Sequence, residues 1–354
     1  MEKKKKIFYL DFIRTVSMII IVTYHFFVHF AENNITGIKI LSNGKWGMIG
    51  VTLFFMISGA SLIYNYGEKI NIKEYAKKRF LGIYPMFWLA YIFTFVYIFY
   101  GSKTVLFGDL PKYKLLMPLF AMDGYLSPYT QTPYLIGEWF LGCIVLIYIL
   151  FPLLRIAIKK YPKTFFIIST IINFGTIIFF KNGIMPINKN LIVCTYSFIL
   201  GMYIVMYIKE FKCWQMIISL LLALGIYIVP LKEINLNIQT LFANFIGYNL
   251  FIVLAYIGQK LEKIDIMPKI FALMSKYSYA VFLVHHYIIM KIENSFQNQT
   301  YGISGTILLY MTCWITIIIF AKLLYMTNKS ILNFFMDKEK NLQIEESQKK
   351  EKII

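Results

Sequence analysis

The stretch YLDFIRTVSMIIIVTYHF, from Tyr9 to Phe26, decides the fold. It lies inside an apolar run from Ile7 to Phe30, and about 20 helical residues are enough to cross the roughly 30 Å hydrocarbon core of a bilayer. The basic residues before this run imitate a secretory signal. The run is too long for one, however, carries an aspartate, an arginine and two histidines, and lacks a small-residue cleavage site. We therefore interpret it as a retained first transmembrane helix.

The composition extends this interpretation to the whole chain. Of the 354 residues, 58% are hydrophobic and 15% are charged, whereas soluble domains have about 45–50% apolar and about 25% charged residues. This excess excludes an ordinary soluble enzyme and predicts one polytopic membrane domain. The formal net charge of +18 does not indicate a nucleic-acid partner, because the basic residues interrupt apolar runs and form no continuous basic face.

Ten apolar stretches are long enough, or nearly long enough, to cross a bilayer. They are Ile7–Phe30, Trp46–Tyr66, Phe80–Tyr100, Tyr134–Leu154, Thr164–Phe180, Leu191–Ile208, Trp214–Val229, Thr240–Ile257, Phe271–Met290 and Gly305–Tyr325. The sequence therefore predicts an all-α, polytopic integral membrane protein with about ten transmembrane helices. Residues 1–330 form the membrane domain in this prediction, and residues 331–354 form a charged cytoplasmic C-terminal tail.

The distribution of lysine and arginine predicts the orientation. Counted on alternating sides of the ten stretches, these residues are about three times as frequent on the side of the N-terminus, and such an excess marks the cytoplasmic side. Both termini are therefore predicted to be cytoplasmic. The longest connection, from Gly101 to Pro133, then lies outside, where we expect a re-entrant segment or a specificity element.

Ionisable side chains inside the membrane domain are the candidate functional groups, since each costs about 2.5–3.5 kcal/mol to insert. Arg14 and His25 lie on the same side of one helix, because eleven residues make about three turns, and they are about 16 Å apart along its axis. In the predicted orientation, His25, Glu138 and His285 fall at a similar depth in the outer half of the bilayer. A simple hydrogen bond to a neighbouring helix or to headgroup water is the alternative interpretation of each.

A basic trio, Lys77, Lys78 and Arg79, precedes the third stretch. It is either an ordinary cytoplasmic loop with positive charge or a phosphate clamp for an anionic cytoplasmic donor. Asp11 is placed to pair with Arg14 along the first helix, or to form a plain interfacial ion pair with it.

Two other patterns have simpler interpretations. His25 and His29 have the HxxxH spacing of a helical metal site, but no glutamate stands at the second position of the motif and the sequence shows no clear third ligand. We therefore predict no metal site. Ser58 and Gly59, in the middle of the second stretch, are more typical of helix packing than of chemistry.

The first stretch resembles the first helix of the membrane acyltransferase 3 family, whose hallmark is an arginine and a histidine separated by ten residues, here Arg14 and His25. Four further blocks agree with the family in order: GVTLFFMISG from Gly50, RFLGIYPMFW from Arg79, EWFLGCIVLIYILFPLL from Glu138 and YSYAVFLVHH from Tyr277. The resemblance covers the chain from Tyr9 to about Tyr325, and the order of the blocks makes it specific.

The resemblance implies an O-acyltransferase of the bacterial cytoplasmic membrane. Such an enzyme moves an acyl group, most often acetyl, from cytoplasmic acetyl-CoA to a hydroxyl of a cell-surface polysaccharide or lipid-linked sugar. The expected partners are then acyl-CoA as donor substrate, membrane lipid and the glycan acceptor, with other envelope-biosynthesis proteins as further partners.

Roles for the candidate residues follow from the chemistry of the attack of a hydroxyl on a thioester. We predict that His25 accepts the hydroxyl proton and that Glu138 or His285 orients it, relays a proton or binds sugar hydroxyls. Arg14 and the basic trio are predicted to bind the donor. Many relatives carry a second arginine where this chain has Gly82, which leaves the trio to supply that charge.

Two other function classes remain open at this point. A secondary transporter would also have many spans and intramembrane ionisable residues, although the chain shows no internal repeat and no paired Gly/Pro-broken helices. A noncatalytic component of envelope assembly or glycan export is the other alternative.

Overall fold

The computed structural model describes residues 6–31, 46–102, 109–180, 183–228, 235–296 and 301–351, with the side chains of 31, 102, 138 and 336–351 outside that description. The described residues form ten long helices and no strand. The helices are α1 (Phe8–Ala31), α2 (Trp46–Tyr66), α3 (Ile72–Ser102), α4 (Glu138–Lys160), α5 (Pro162–Phe179), α6 (Leu191–Tyr207), α7 (Cys213–Tyr227), α8 (Leu236–Leu261), α9 (Ile266–Ser295) and α10 (Ile303–Glu351). Each contains most or all of one predicted stretch, so the all-α class is confirmed.

Seven of these described helices are long and apolar enough to cross a membrane, namely α1 to α5, α8 and α10. Two others, α6 and α7, are apolar but shorter, at 17 and 15 residues. The remaining helix, α9, has 30 residues but is more polar than these seven. The polytopic membrane class is thus confirmed. The number of crossings and the side of the termini stay predictions, and α10 continues as one helix past the predicted domain boundary at residue 330.

Helices α1 and α9 run parallel, side by side. Near the start of both, Arg14 Nη1 donates to Ser275 Oγ at 2.9 Å. Near the end of both, His29 Nδ1 lies 2.9 Å from Glu293 Oε2. The two contacts are about 22 Å apart along α1 at 1.5 Å per residue. The facing sides of the two helices are therefore fixed in register over most of a membrane thickness.

Helices α2 and α6 cross at close range through a pair of glycines. A Cβ atom on Gly59 would overlap the carbonyl of Phe198, and one on Gly201 would overlap the carbonyl of Met56. Small residues allow such backbone contact between membrane helices. The packing role predicted for this part of α2 thus belongs to Gly59.

The long connection between α3 and α4 folds back along α3. Its 3₁₀ helix, Lys112–Phe120, is held where Trp88 Nε1 donates to the carbonyl of Leu119 at 3.2 Å. Further along, Tyr91 Oη donates to the carbonyl of Pro133 at 2.6 Å. Both donors lie in the middle of α3, so the connection returns to the level of the helix centre, as a re-entrant segment does.

Asp123 is a buried carboxyl group of this connection, with 1% of its surface exposed. Its Oδ2 atom has no hydrogen-bond partner among the described residues. Burial raises the pKa of this carboxyl to about 7, although the amides of Asp123 and Gly124 oppose the shift. The folded connection therefore holds a proton at a pH where an exposed aspartate has lost it.

The glycine pair predicts a selective effect of added methyl groups. We expect Gly59→Ala or Gly201→Ala to lower the free energy of unfolding by about 1–3 kcal/mol, because the new methyl meets backbone that has no room to move. Gly175→Ala and Gly225→Ala are matched helical controls with no atom within 4 Å of the added methyl, and these should be neutral or stabilising by up to about 1 kcal/mol. Thermal unfolding in detergent measures both pairs, and equal behaviour of the two would contradict the close crossing.

Asp123 predicts a pH dependence of stability. Since its folded pKa of about 7 exceeds the ordinary value of about 3.9, the folded state binds the extra proton, and stability falls as pH rises from about 4 to about 7. The full effect is at most about 4 kcal/mol. Asp123→Asn should flatten this part of the profile and raise thermal stability at pH 8. An unchanged profile in the variant would show that this carboxyl is not the titrating group.

Candidate functional site

A cavity of about 440 Å³ lies between α1, α2, α3, α4 and α9. Arg14 lines it at one end, and His25, about three turns further along α1, lines it at the other. We call these the arginine end and the histidine end. The shared face predicted from the spacing of these two residues is therefore the wall of one cavity.

At the arginine end, Arg14 is held by three helices. Its Nη1 atom donates to Asp11 Oδ1 at 2.8 Å and to Ser275 Oγ at 2.9 Å, and its Nη2 atom donates to Ser61 Oγ at 3.4 Å. Ser275 Oγ in turn donates to Asp11 Oδ1 at 2.8 Å. The anticipated pairing of Asp11 with Arg14 is thus part of a network that fixes the guanidinium plane.

The basic trio does not act as one group in the structure. Arg79 is half-buried, lines the cavity and places its guanidinium carbon 5.7 Å from the centre of the Tyr148 ring. Its buried Nε has no hydrogen-bond partner among the described residues. Lys77 and Lys78 are exposed and do not line the cavity, and Lys78 pairs with Glu74 at 2.6 Å. Adjacent helical residues point about 100° apart, so only Arg79 faces inward.

At the histidine end, two residues of α9 contact His25. Its ring centroid lies 5.1 Å from that of His285 and 4.8 Å from that of His286. His285 is fully buried, and its Nδ1 lies 2.8 Å from the carbonyl of Phe282. A carbonyl only accepts, so Nδ1 carries the hydrogen and Nε2 carries the lone pair of the neutral ring.

The opposite wall of the cavity at this end comes from the start of α4. Glu138 begins this helix, but its side chain lies outside the description, so its predicted role stays a prediction. The next residue, Trp139, lines the cavity, and Lys189 Nζ from the turn before α6 lies 5.7 Å from its ring centroid. The backbone of Glu138 therefore lies directly beside a residue of the cavity wall.

Sequence reasoning did not anticipate four residues of this region. They are Tyr148, Lys189, Ser58 as a cavity residue and Glu293 as the partner of His29. His286, the residue after His285, also contacts α1, through the rings of His25 and His29. The unused signal for Glu293 was a carboxylate one turn beyond the predicted end of the ninth stretch, where α9 continues to Ser295.

Comparisons with known proteins place the chain in a family of acyltransferases. The sequence model of the acyltransferase 3 family, described as an acyltransferase domain, matches residues 7–326. A curated relative, the acyltransferase MdmB of Streptomyces mycarofaciens, is 27% identical over 134 residues, which cover 38% of this chain. The matched part spans 34% of that relative. No solved structure matches the chain.

Proposed function

Because the chain belongs to the acyltransferase 3 family, we propose that it transfers an acyl group, acetyl in the first instance, from cytoplasmic acyl-CoA to a hydroxyl of a cell-envelope glycan or lipid-linked sugar. The observation that carries this proposal is the single cavity that extends from Arg14 to His25. Such a cavity joins a site for an anionic donor to a proton acceptor without either substrate crossing the bilayer.

The arginine end suits the nucleotide part of the donor. Arg14 and Arg79 both line the cavity there, and a guanidinium binds phosphate oxygens through its planar fork. With the N-terminus cytoplasmic, this end faces the compartment that holds acyl-CoA. Lys77 and Lys78 lie outside the cavity and add only the longer-range attraction of a basic surface.

The histidine end suits the reaction. The acceptor hydroxyl oxygen attacks the thioester carbonyl carbon, a C–O bond forms, and the C–S bond breaks. His25 takes the hydroxyl proton and returns it to the departing CoA thiolate, so that the free thiol leaves. His285 has its Nδ1 hydrogen committed to the backbone, which fixes the ring that lies beside His25.

Vesicles of known orientation test this function. Acetyl-CoA labelled in its acetyl group is supplied on the side of the N-terminus, and a glycan acceptor is supplied on the other side. We expect label on the acceptor and free CoA on the donor side. Movement of unmodified glycan without label transfer would instead identify an export component or a transporter.

Loss of the proton acceptor should abolish turnover without unfolding the protein. We expect His25→Ala to reduce the transfer rate by about 10²–10⁴, because His25 is the histidine that lines the cavity among the residues that the structure describes. Acetyl-CoA affinity of the purified variant should stay near that of the wild type. Wild-type turnover in this variant would exclude His25 as the base.

The arginine end of the cavity predicts that neighbouring basic residues differ in their effect on acyl-CoA binding. Arg14→Lys and Arg79→Ala should each weaken acyl-CoA binding, the first because lysine keeps the charge but loses the fork. The double variant Lys77→Ala, Lys78→Ala is the matched control. It removes two positive charges, whereas Arg79→Ala removes one, but it changes no residue of the cavity wall. We expect it to bind acyl-CoA more tightly than Arg79→Ala in calorimetry or equilibrium dialysis. The reverse order would place the donor outside the cavity.

A further inference from the structure

All four histidines of the chain lie where α1 meets α9, and three of them form a compact cluster. His25, His29 and His286 each place one ring nitrogen within 4.8 Å of the other two. His25 and His29 are four residues apart, so they share one face of α1. The ring of His286, from α9, has its centroid 4.8 Å from that of His25 and 4.9 Å from that of His29.

A carboxylate orients one member of this cluster. The Nδ1 atom of His29 lies 2.9 Å from Glu293 Oε2, so in the neutral ring Nδ1 carries the hydrogen and Nε2 carries the lone pair. Metal-bound histidines are held in this way, with the second ring nitrogen donating to a carboxylate that fixes the tautomer and raises basicity. His29 and Glu293 have no part in the transfer reaction described above.

Three imidazoles are a donor set that Zn²⁺ takes in tetrahedral sites with one open position. Zn–N bonds of about 2.0–2.1 Å place the ligand nitrogens about 3.4 Å apart. The ring nitrogens are now up to 4.8 Å apart. Movements of the rings by about 1 Å would bring them to the separation that Zn²⁺ requires. Ca²⁺ and Mg²⁺ prefer oxygen ligands, so the cluster selects a transition metal.

We propose that His25, His29 and His286 bind one Zn²⁺ ion and that the bound ion stops acyl transfer. Metal coordination and proton acceptance use the same lone pair of a neutral imidazole. His25 is the member of the cluster that also lines the cavity, so Zn²⁺ removes it from the reaction. This second part rests on the proposed function, whereas the binding of Zn²⁺ by the three histidines does not.

Binding is measured first, on the full chain purified without a histidine tag and treated with chelator. Equilibrium dialysis with Zn²⁺ should give one ion per chain, and Co²⁺ should give the visible absorption of a tetrahedral site. His286→Ala and His29→Asn should remove this binding. In His29→Asn the new side-chain amide can still donate a hydrogen bond to Glu293, so the contact between α1 and α9 is kept. Glu293→Gln should weaken binding by about 10–100-fold. His285→Asn is the matched histidine control and should keep the site.

Inhibition is measured next, by transfer rate with and without Zn²⁺. In chelator, His29→Asn and His286→Ala should turn over like the wild type, since neither contributes to the proposed reaction. Added Zn²⁺ should inhibit only the wild type, and chelator should restore its rate.

The outcomes separate this inference from the proposed function. Absence of stoichiometric Zn²⁺ binding, or retention of binding in both His29→Asn and His286→Ala, overturns the site whatever the activity. Binding that leaves the transfer rate unchanged, or a transfer rate that requires Zn²⁺, overturns the inhibitory role. If the wild type shows no transfer at all, the proposed function fails while the dialysis result stands.

Discussion

The parallel pairing of α1 with α9 is the interaction on which the rest of the site depends. Charged groups inside a membrane domain are costly unless partnered, and this pair provides partners at both ends. Ser275 joins Asp11 and Arg14 at one end, and Glu293 joins His29 at the other. Because both ends are tied, the ring of His25 is brought against those of His285 and His286. The cavity then has the guanidinium of Arg14 at one end and the imidazole of His25 at the other.

Much of this arrangement was predictable from the sequence, because it depends on local periodicity. Ten apolar stretches predicted ten helices, and an eleven-residue spacing placed Arg14 and His25 on one face of α1. Their shared side follows from the geometry of a single helix, whereas the cavity that they line also needs residues of four other helices. The similar depth of His25 and His285 depends only on chain direction and residue count, which a sequence also contains.

The rest depends on how each helix is rotated about its own axis, which one sequence does not specify. Arg79 faces the cavity while Lys77 and Lys78 do not, although all three are adjacent and basic. His286 turns toward α1 because the α9 backbone is fixed elsewhere, at Ser275 and Glu293. The re-entrant connection was expected from its length, but the particular tyrosine and tryptophan of α3 that hold it are set by tertiary contacts. These features share one cause, because a local sequence pattern gives the spacing of side chains along a helix but not the direction in which the helix turns them.

The long separation between α1 and its partner has a consequence for synthesis. The contacts of His29 with Glu293 and of Asp11 with Ser275 each join residues 264 positions apart. At about 5–20 residues per second, a ribosome needs about 13–53 s to make that intervening length. During this interval α1 has already left the ribosome, but the residues of α9 that bind its polar side chains have not yet been made. The earliest segment to be made is therefore among the last to reach its native environment, and a chain that stops before residue 293 lacks one of the two contacts that fix α1 against α9.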